Sequence, residues 1–281
     1  GVQGATSHAL GQNFAKMFHI EFEDKQGKKQ MVWQNSWGCT TRSLGVMIMV
    51  HADDTGLVLP PRVAPVQVVL VPIVYGDPAP LFKKVNELGD ALRAAGVRVE
   101  VDDRDNYNPG WKFAHWEVKG VPLRIELGPK DLEAGQVVIK RRDATDKKAF
   151  EAVKWENLTE RIPALLEQVQ SDMLSRARAE AESRRKTAHS WEEFTAALES
   201  QCTAFIPHCD EKDCEKAIKK RTGEEARIKE EGAENAESGE KLTGAAKSLC
   251  IPFEQPAGIE GKTCVGCGKP AKHYTLFGRS Y

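Results

Sequence analysis

The sequence predicts an α/β protein that ends in a small α+β domain built around a metal. Two observations predict the α/β part. Runs rich in β-branched residues alternate with apolar residues at helical spacing between residues 66 and 139, and Pro60, Pro61 and Pro65 break the chain just before that stretch. A third observation, six of the seven cysteines lying beyond residue 201, predicts the metal-held end.

Each element has its own signal. Val66 to Val74 is dense in valine, which suits a strand covered on both faces, and Pro72 sets either the end of its pairing or a sheet edge. Pro80 to Ala95 carries Leu81, Phe82, Val85, Leu88 and Leu92 at helical spacing, and Gly96 suits its C-terminal cap. Val97 to Val101 reads as the next strand, Trp111 to Val118 as a short helix after Pro109-Gly110, and Leu123 to Leu127 and Val137 to Ile139 as two more strands. Alternation of this kind predicts a mixed sheet. Leu158 to Arg185 reads as a long helix, with Pro163 setting its regular start because proline is tolerated only near a helix beginning. Its polar face, with Arg176, Arg178, Arg184 and Arg185, reads as solvated or as touching nucleic acid. Trp191 to Leu198 is a further helix capped by Ser190. Thr222 to Thr243, rich in Glu, Gly and Ala, reads as a flexible loop. Before residue 64, Met31-Val32-Trp33 and Leu44 to Val50 read as a strand, a turn and a buried helix.

Bulk properties exclude some classes. With 41% hydrophobic and 29% charged residues the chain has a globular balance, and no apolar run approaches the roughly 20 residues that span a bilayer. No secretory signal opens it, so the compartment expected is the cytosol, with no membrane partner. A net charge of −1 gives no global attraction to nucleic acid, although Lys140-Arg141-Arg142 forms a local basic cluster.

An odd number of cysteines in a chain of this kind argues against a disulfide framework. Cys209 and Cys214 are separated by four residues, and Cys264 and Cys267 by two, in Cys-Val-Gly-Cys-Gly-Lys. Short pairs let two thiolates from one turn face one ion, and two such turns complete a closed, structural Zn²⁺ site; the alternative is four buried thiols. Cys250 and Cys39 read as buried core thiols.

Two blocks near the start pack polar side chains between small ones. These are Gln3-Gly4-Ala5-Thr6-Ser7-His8, followed by Gly11-Gln12-Asn13-Phe14, and Asn35 to Arg42, followed by Gly45-Val46-Met47. Small residues let a ligand approach the backbone while amide, hydroxyl and imidazole groups point at it. An arginine entering an apolar helix, as Arg42 does, calls for an anion or a flat ring. Taken alone, His8 is equally a satisfied core histidine or a ligand contact.

Together these blocks carry a resemblance. Gln-Gly-Ala-Thr-Ser-His with Gly-Gln-Asn-Phe resembles the segment after motif 2 of prolyl-tRNA synthetases of the eukaryotic and archaeal type, and Trp-Gly-Cys-Thr-Thr-Arg-Ser-Leu-Gly-Val resembles class II motif 3. Val-Leu-Pro-Pro-Arg-Val-Ala-Pro, Asp-Asn-Tyr-Asn-Pro-Gly-Trp-Lys-Phe and Lys-Gly-Val-Pro-Leu-Arg-Ile-Glu-Leu-Gly-Pro resemble the approach to, and the body of, the family's anticodon-binding domain. The cysteine quartet and the final Gly-Arg-Ser-Tyr resemble its C-terminal domain. The resemblance implies three segments. Residues 1–64 are the end of a class II antiparallel-sheet catalytic domain, 65–160 an anticodon-binding domain, and 161–281 a linker helix with a zinc-binding domain.

It also implies an activity: ATP-dependent formation of prolyl-adenylate from L-proline, then transfer to tRNA(Pro). Arg42 would stack on adenine, Gln3, Thr6 and Thr40 would contact ATP with Gln3 near Mg²⁺, and His8 would line the proline pocket. Trp111, Phe113 and Trp116 would stack on anticodon bases, and Lys112, Glu117, Arg124, Glu126 and Lys130 would meet base edges or phosphates. Tyr281 would fold back toward the active site. The sequence opens without Met inside a motif-like block and has neither motif 1 nor the motif 2 arginine. It therefore reads as a piece of a longer, homodimeric enzyme and is expected not to adenylate proline alone. The alternatives are a non-catalytic tRNA-binding module or a subunit of a multi-synthetase complex.

Overall fold

The computed structural model describes residues 2–146, 148–231 and 244–279. The expectation for Tyr281, and residues 232–243 of the expected Thr222–Thr243 loop, lie outside these. In chain order the elements are β1 (Ala5–Gly11), α1 (Asn13–Phe18), β2 (Glu21–Glu23), β3 (Lys29–Met31), β4 (Gln34–Cys39), α2 (Arg42–His51), β5 (Val68–Pro72), α3 (Ala79–Ala94), β6 (Val99–Val101), α4 (Pro109–Val118), β7 (Leu123–Leu127), α5 (Pro129–Ala134), β8 (Gln136–Arg141) and β9 (Glu151–Lys154). A 3-10 turn (Trp155–Asn157) leads into α6 (Leu158–Ser183), followed by β10 (Arg185–Thr187), α7 (Trp191–Glu199), β11 (Thr203–His208), α8 (Lys212–Glu231), β12 (Ala246–Cys250) and β13 (His273–Arg279). They form two compact units, one of Cys39–Arg178 and one of Gly1–Gly38 with Ala179–Tyr281.

The Cys39–Arg178 unit holds a five-stranded mixed sheet in the order β6-β5-β7-β8-β9. β5 pairs in parallel with β6 and β7, while β7, β8 and β9 pair antiparallel. All five residues of β5 are buried. Alternation sends Val68 and Leu70 to one face, against Leu81, Val85, Leu88 and Leu92 of α3 and Ile162, Leu165 and Val169 of α6. Val69 and Val71 go to the other face, with Val121, Phe113 and Trp116. Pro72 closes β5 rather than marking an edge, since its register partner is Leu127 in the sheet interior. α6 begins five residues before Pro163, because Leu158 and Ile162 are buried and hold the first turns in place of the hydrogen bond that proline cannot donate.

One buried charge cluster ties β8 to α6. Asp143 accepts from Arg141 at 2.9 Å and from Arg176 at 2.7 Å, and Arg141 also reaches Asp172 at 2.7 Å. Burial pushes the Asp143 carboxyl up, but the two arginines outweigh it and hold it below the ordinary carboxylate range. A carboxyl lowered in this way contributes stability above its unfolded value, about pH 4, and that contribution is lost as pH falls through the folded value. Asp143→Asn is expected to lower stability by about 1–3 kcal/mol at neutral pH and to flatten the acid dependence. Chemical denaturation at pH 7 and pH 3 checks this: an unchanged difference between the two pH values would contradict it.

In the other unit a four-stranded sheet runs β10-β11-β13-β12, with β10–β11 parallel and the rest antiparallel. Phe194, Leu198, Ala204, Ile206, Ile218 and Phe277 fill its core. β1 pairs with β4, and β2 with β3, in two small separate sheets.

Several expectations need correction. Thr222 to Glu231 is helical, as the end of α8, because Trp191 clamps that helix: its indole N–H donates to Glu225 at 3.0 Å and its ring lies 3.8 Å from the Arg221 guanidinium. α2 is not a buried helix; Leu44, Ile48, Met49 and Val50 are exposed. Cys39 and Cys250 are exposed too. Cys250 ends the edge strand β12 just after a register shift, which leaves it outside the core.

Candidate functional site

Three groups of residues carry chemistry. The first is on α4 and the neighbouring sheet. Asn108 caps α4, its side-chain oxygen accepting the Trp111 N–H at 2.8 Å. Trp111 and His115, four apart, share one face of α4, and Tyr107 just before the cap stacks on Trp111, giving a ladder of rings with centroids 3.7 and 4.8 Å apart. The Arg104 guanidinium lies 5.1 Å from the centroids of both Tyr107 and Trp111. Beneath this ladder Asp102 is buried. It accepts both nitrogens of a bidentate Arg104 at 2.8 and 2.7 Å and the Trp116 indole N–H at 2.7 Å. Burial pushes the Asp102 carboxyl up, and Arg104, Trp116 and Lys112 bring it below its usual range, so it stays a carboxylate that fixes Arg104 and Trp116 in place.

Beside the ladder is a cleft of about 120 Å³ lined by Trp116, Glu117, Arg124, Lys140, Arg141 and Arg142, among others. Arg142 and Arg141 are committed: Arg142 to Asp53 at 2.6 and 2.7 Å, Arg141 to Asp143 and Asp172. Arg124 and Lys140 stand directly opposite each other on β7 and β8. Like charges at such a pair destabilise a sheet unless an anion sits nearby. Glu126 answers Arg124 at 2.9 Å, while Lys140 enters no ion pair among the described residues.

Of the residues expected here, Trp111 is exposed, and Glu117, Arg124 and Glu126 are half-buried at or beside the cleft. Phe113 lies under the Arg124 guanidinium at 4.2 Å. Lys130 is exposed on α5. Lys112 turns inward, donating to the Asp102 carbonyl at 3.0 Å with 4% of its surface exposed. Tyr107, His115, Arg104 and Lys140 were not among the residues expected to read bases. The i, i+4 aromatic spacing and the Lys140-Arg141-Arg142 run were their only signals.

The second group is the cysteine quartet. β11 delivers Cys209, the first turn of α8 carries Cys214, and a tight turn brings Cys264 and Cys267. In that turn the Gly268 N–H donates to the Cys264 carbonyl at 2.8 Å and the Cys264 N–H to Lys269 at 2.7 Å. Gly266 is required by space: a Cβ there would sit 2.7 Å from Ile218 and 3.0 Å from the Cys214 sulfur. Cys209 and Cys267 sulfurs are 3.6 Å apart, as are those of Cys214 and Cys264, and the sulfurs of Cys209, Cys214 and Cys264 lie within 4.8 Å of one another. A tetrahedron of thiolates with Zn–S bonds near 2.3 Å has edges of about 3.8 Å. The two 3.6 Å sulfur pairs are compatible with the edges of such a tetrahedron. A ring nitrogen of His208 also comes within 4.8 Å of the Cys209, Cys214 and Cys264 sulfurs. Burial, with the neighbouring sulfurs, pushes the Cys214 thiol up, and Cys209 is raised as well; burial also raises Cys267, but the Lys269 N–H and the other thiols bring it below its ordinary value. Four thiols this close ionise together only around a cation.

The third group is near the start. Thr6 and His8 lie on β1, and the Gln3 side-chain amide donates to the Thr6 hydroxyl. In the other unit Thr40 precedes α2 and Arg42 opens it, both exposed.

Comparison with known proteins bears on all three groups. Residues 67–165 match the family model described as "Anticodon binding domain", and residues 191–281 match "Prolyl-tRNA synthetase, C-terminal". The whole chain is 48% identical to a proline–tRNA ligase, cytoplasmic, of Arabidopsis thaliana, covering 50% of it, and 43% identical to a proline–tRNA ligase of Lachnospira eligens, covering 53%. It is 47% identical to a bifunctional glutamate/proline–tRNA ligase of Mus musculus, of which it covers 18%. The chain carries the C-terminal portion of the prolyl-tRNA synthetase family. It spans about half the length of the single-function relatives it matches, and less of the bifunctional one. The aromatic ladder and the cleft fall inside the anticodon-binding match, and all four cysteines and His208 inside the prolyl-tRNA synthetase C-terminal match. Gln3, Thr6, His8, Thr40 and Arg42 precede both matches but lie within the span aligned to the relatives. No helix among the described residues is long and apolar enough to cross a membrane.

Proposed function

We propose that this chain serves a proline–tRNA ligase. Its β5–β8 sheet and α4 bind the anticodon of tRNA(Pro), and its first residues complete a site where ATP and Mg²⁺ activate L-proline. The observation that carries the tRNA half is the cleft where Arg124 and Lys140 face each other and, among the described residues, only Arg124 of the two has an ion-pair partner. A phosphate supplies an anion there, or a base edge supplies hydrogen-bond acceptors, and the adjacent Tyr107–Trp111–His115 ladder offers flat faces on which an unpaired base stacks. Trp111, Glu117, Arg124 and Lys140 form the contact surface, with Phe113, Glu126 and Lys112 holding it from behind and Lys130 at its margin. Segments 1–64, 65–160 and 161–281 are the catalytic end, the anticodon-binding domain and the zinc-held domain. In the first, Gln3, Thr6, Thr40 and Arg42 contact ATP, Gln3 approaches Mg²⁺ and His8 lines the proline pocket. Cys209, Cys214, Cys264 and Cys267 hold a structural Zn²⁺. When bound, the zinc fixes the fold of that domain and takes no part in the reaction.

The complete enzyme works in the cytosol as a homodimer. Fusion with a glutamate-specific ligase, as named for the Mus musculus relative, favours association with other synthetases. Lys140→Glu tests the tRNA half. Reversing one cation in the cleft is expected to weaken tRNA(Pro) binding by about 1–3 kcal/mol, ten- to a hundredfold, at fixed moderate salt. Fluorescence anisotropy with labelled tRNA reads it, and an unchanged dissociation constant would remove this cleft from the interface.

A further inference from the structure

His208 closes β11, one residue before the first cysteine of the quartet, and only 4% of its surface is exposed. Alternation along the strand puts it on the same side as Ala204 and Ile206, in the core, where its ring meets Phe277 edge-on at 5.5 Å. The two ring nitrogens have different fates. Nδ1 accepts the Asp210 backbone N–H at 3.2 Å, so in the neutral ring the proton resides on Nε2. Nε2 is buried and has no hydrogen-bond partner among the described residues. A buried donor without an acceptor costs about 1–3 kcal/mol, which a fold does not ordinarily leave uncompensated. Candidate acceptors are the sulfurs of Cys209, Cys214 and Cys264, which lie within 4.8 Å of one of the His208 ring nitrogens; the Thr275 hydroxyl on β13 is also buried without a partner among the described residues. As thiols the sulfurs are poor acceptors; as thiolates around a cation they are good ones, and a zinc bound by four thiolates carries a net charge of −2 that N–H donors around the sulfurs stabilise.

We infer that His208 is an outer donor of this metal centre: its Nε2–H hydrogen-bonds to the sulfur cluster and slows the release of zinc. The inference rests on the reading of the four cysteines as zinc ligands. It assigns His208 a positioning role, distinct from that of a fifth candidate ligand, because the Cys209–Cys267 and Cys214–Cys264 sulfur pairs already stand at the 3.6 Å spacing of a four-sulfur site.

The test follows zinc release from the full chain to a chromogenic chelator, with zinc content measured first. His208→Phe keeps an aromatic ring against Phe277 and removes the donor; it is expected to release zinc about 10- to 100-fold faster, the usual effect of losing an outer-shell partner. His208→Gln, which keeps an N–H at similar reach, is expected to stay within a few fold of the parent. Release from His208→Phe at the parent rate overturns the inference. So does a Cys267→Ser variant that retains one zinc while His208→Phe holds none, since His208 would then be a ligand. Should His208→Phe not fold, the ¹¹³Cd-substituted parent decides: a scalar coupling between the His208 Nε2 proton and ¹¹³Cd is expected, and its absence overturns the inference. A folded parent chain without zinc defeats the four-cysteine reading itself and the inference with it, an outcome distinct from the others.

Discussion

Serine at Cys264 is expected to strip the zinc and melt the four-stranded sheet while the five-stranded sheet of the Cys39–Arg178 unit survives. Cys264 is 2% exposed and belongs to the same core cluster as Phe194, Phe277 and Ile218, so its sulfur is a packing atom as well as a proposed ligand. Its backbone anchors the turn that also carries Cys267. Losing it leaves three sulfurs and an open coordination position. Structural zinc sites contribute about 10–16 kcal/mol of apparent binding energy, as much as the whole stability of an ordinary domain, about 5–15 kcal/mol. Even partial loss therefore unfolds this part of the chain. Metal analysis and thermal unfolding read the result together. One zinc per chain in the variant, with an unchanged melting profile, would take Cys264 out of the ligand set.

Arg42→Ala is expected to abolish proline-dependent ATP–pyrophosphate exchange in the complete enzyme, by a factor of about 100 to 1000 or more. Arg42 opens α2 and is exposed, so the substitution removes no core contact and the folded chain should tolerate it. Its guanidinium is a planar, permanently charged group, suited to stacking on adenine, whereas a lysine offers only a point charge. Arg42→Lys is therefore expected to restore little. A loss in exchange with unchanged thermal stability separates ligand contact from structure. Exchange at the parent level in Arg42→Ala would contradict the assignment.

Much of the fold was legible because its signals are local. β5 reads as a strand buried on both faces from its valines alone, and α3 from the spacing of Leu81, Val85, Leu88 and Leu92. The cysteine quartet was legible as a possible zinc site from spacing, and the sulfurs do converge. What was hidden depends on distant partners. β11 is short and carries Pro207, so its place in a sheet comes from β13 and from the cysteine that follows it. The last turns of α8 have a polar sequence with no apolar period, and they hold because Trp191, far back in the chain, binds Arg221 and Glu225. Lys112 looks like a surface cation until Asp102 is seen to claim it from below. Lys140 belongs to an evident basic run, yet only the β7–β8 register, setting it opposite Arg124, separates it from Arg141 and Arg142, which are already paired. The exposed apolar face of α2 runs against its sequence, which reads as core.

The most direct test of the account compares the affinity of the chain for tRNA(Pro) with its affinity for the same tRNA carrying a replaced anticodon, at one salt concentration. Stacking tolerates any base, whereas a matched set of base-edge hydrogen bonds discriminates by about 1–3 kcal/mol, so the native anticodon is expected to bind about five- to a hundredfold more tightly. Equal affinity for the two would mean that these residues hold the tRNA by its backbone and by indiscriminate stacking, and would contradict anticodon reading by the α4 face.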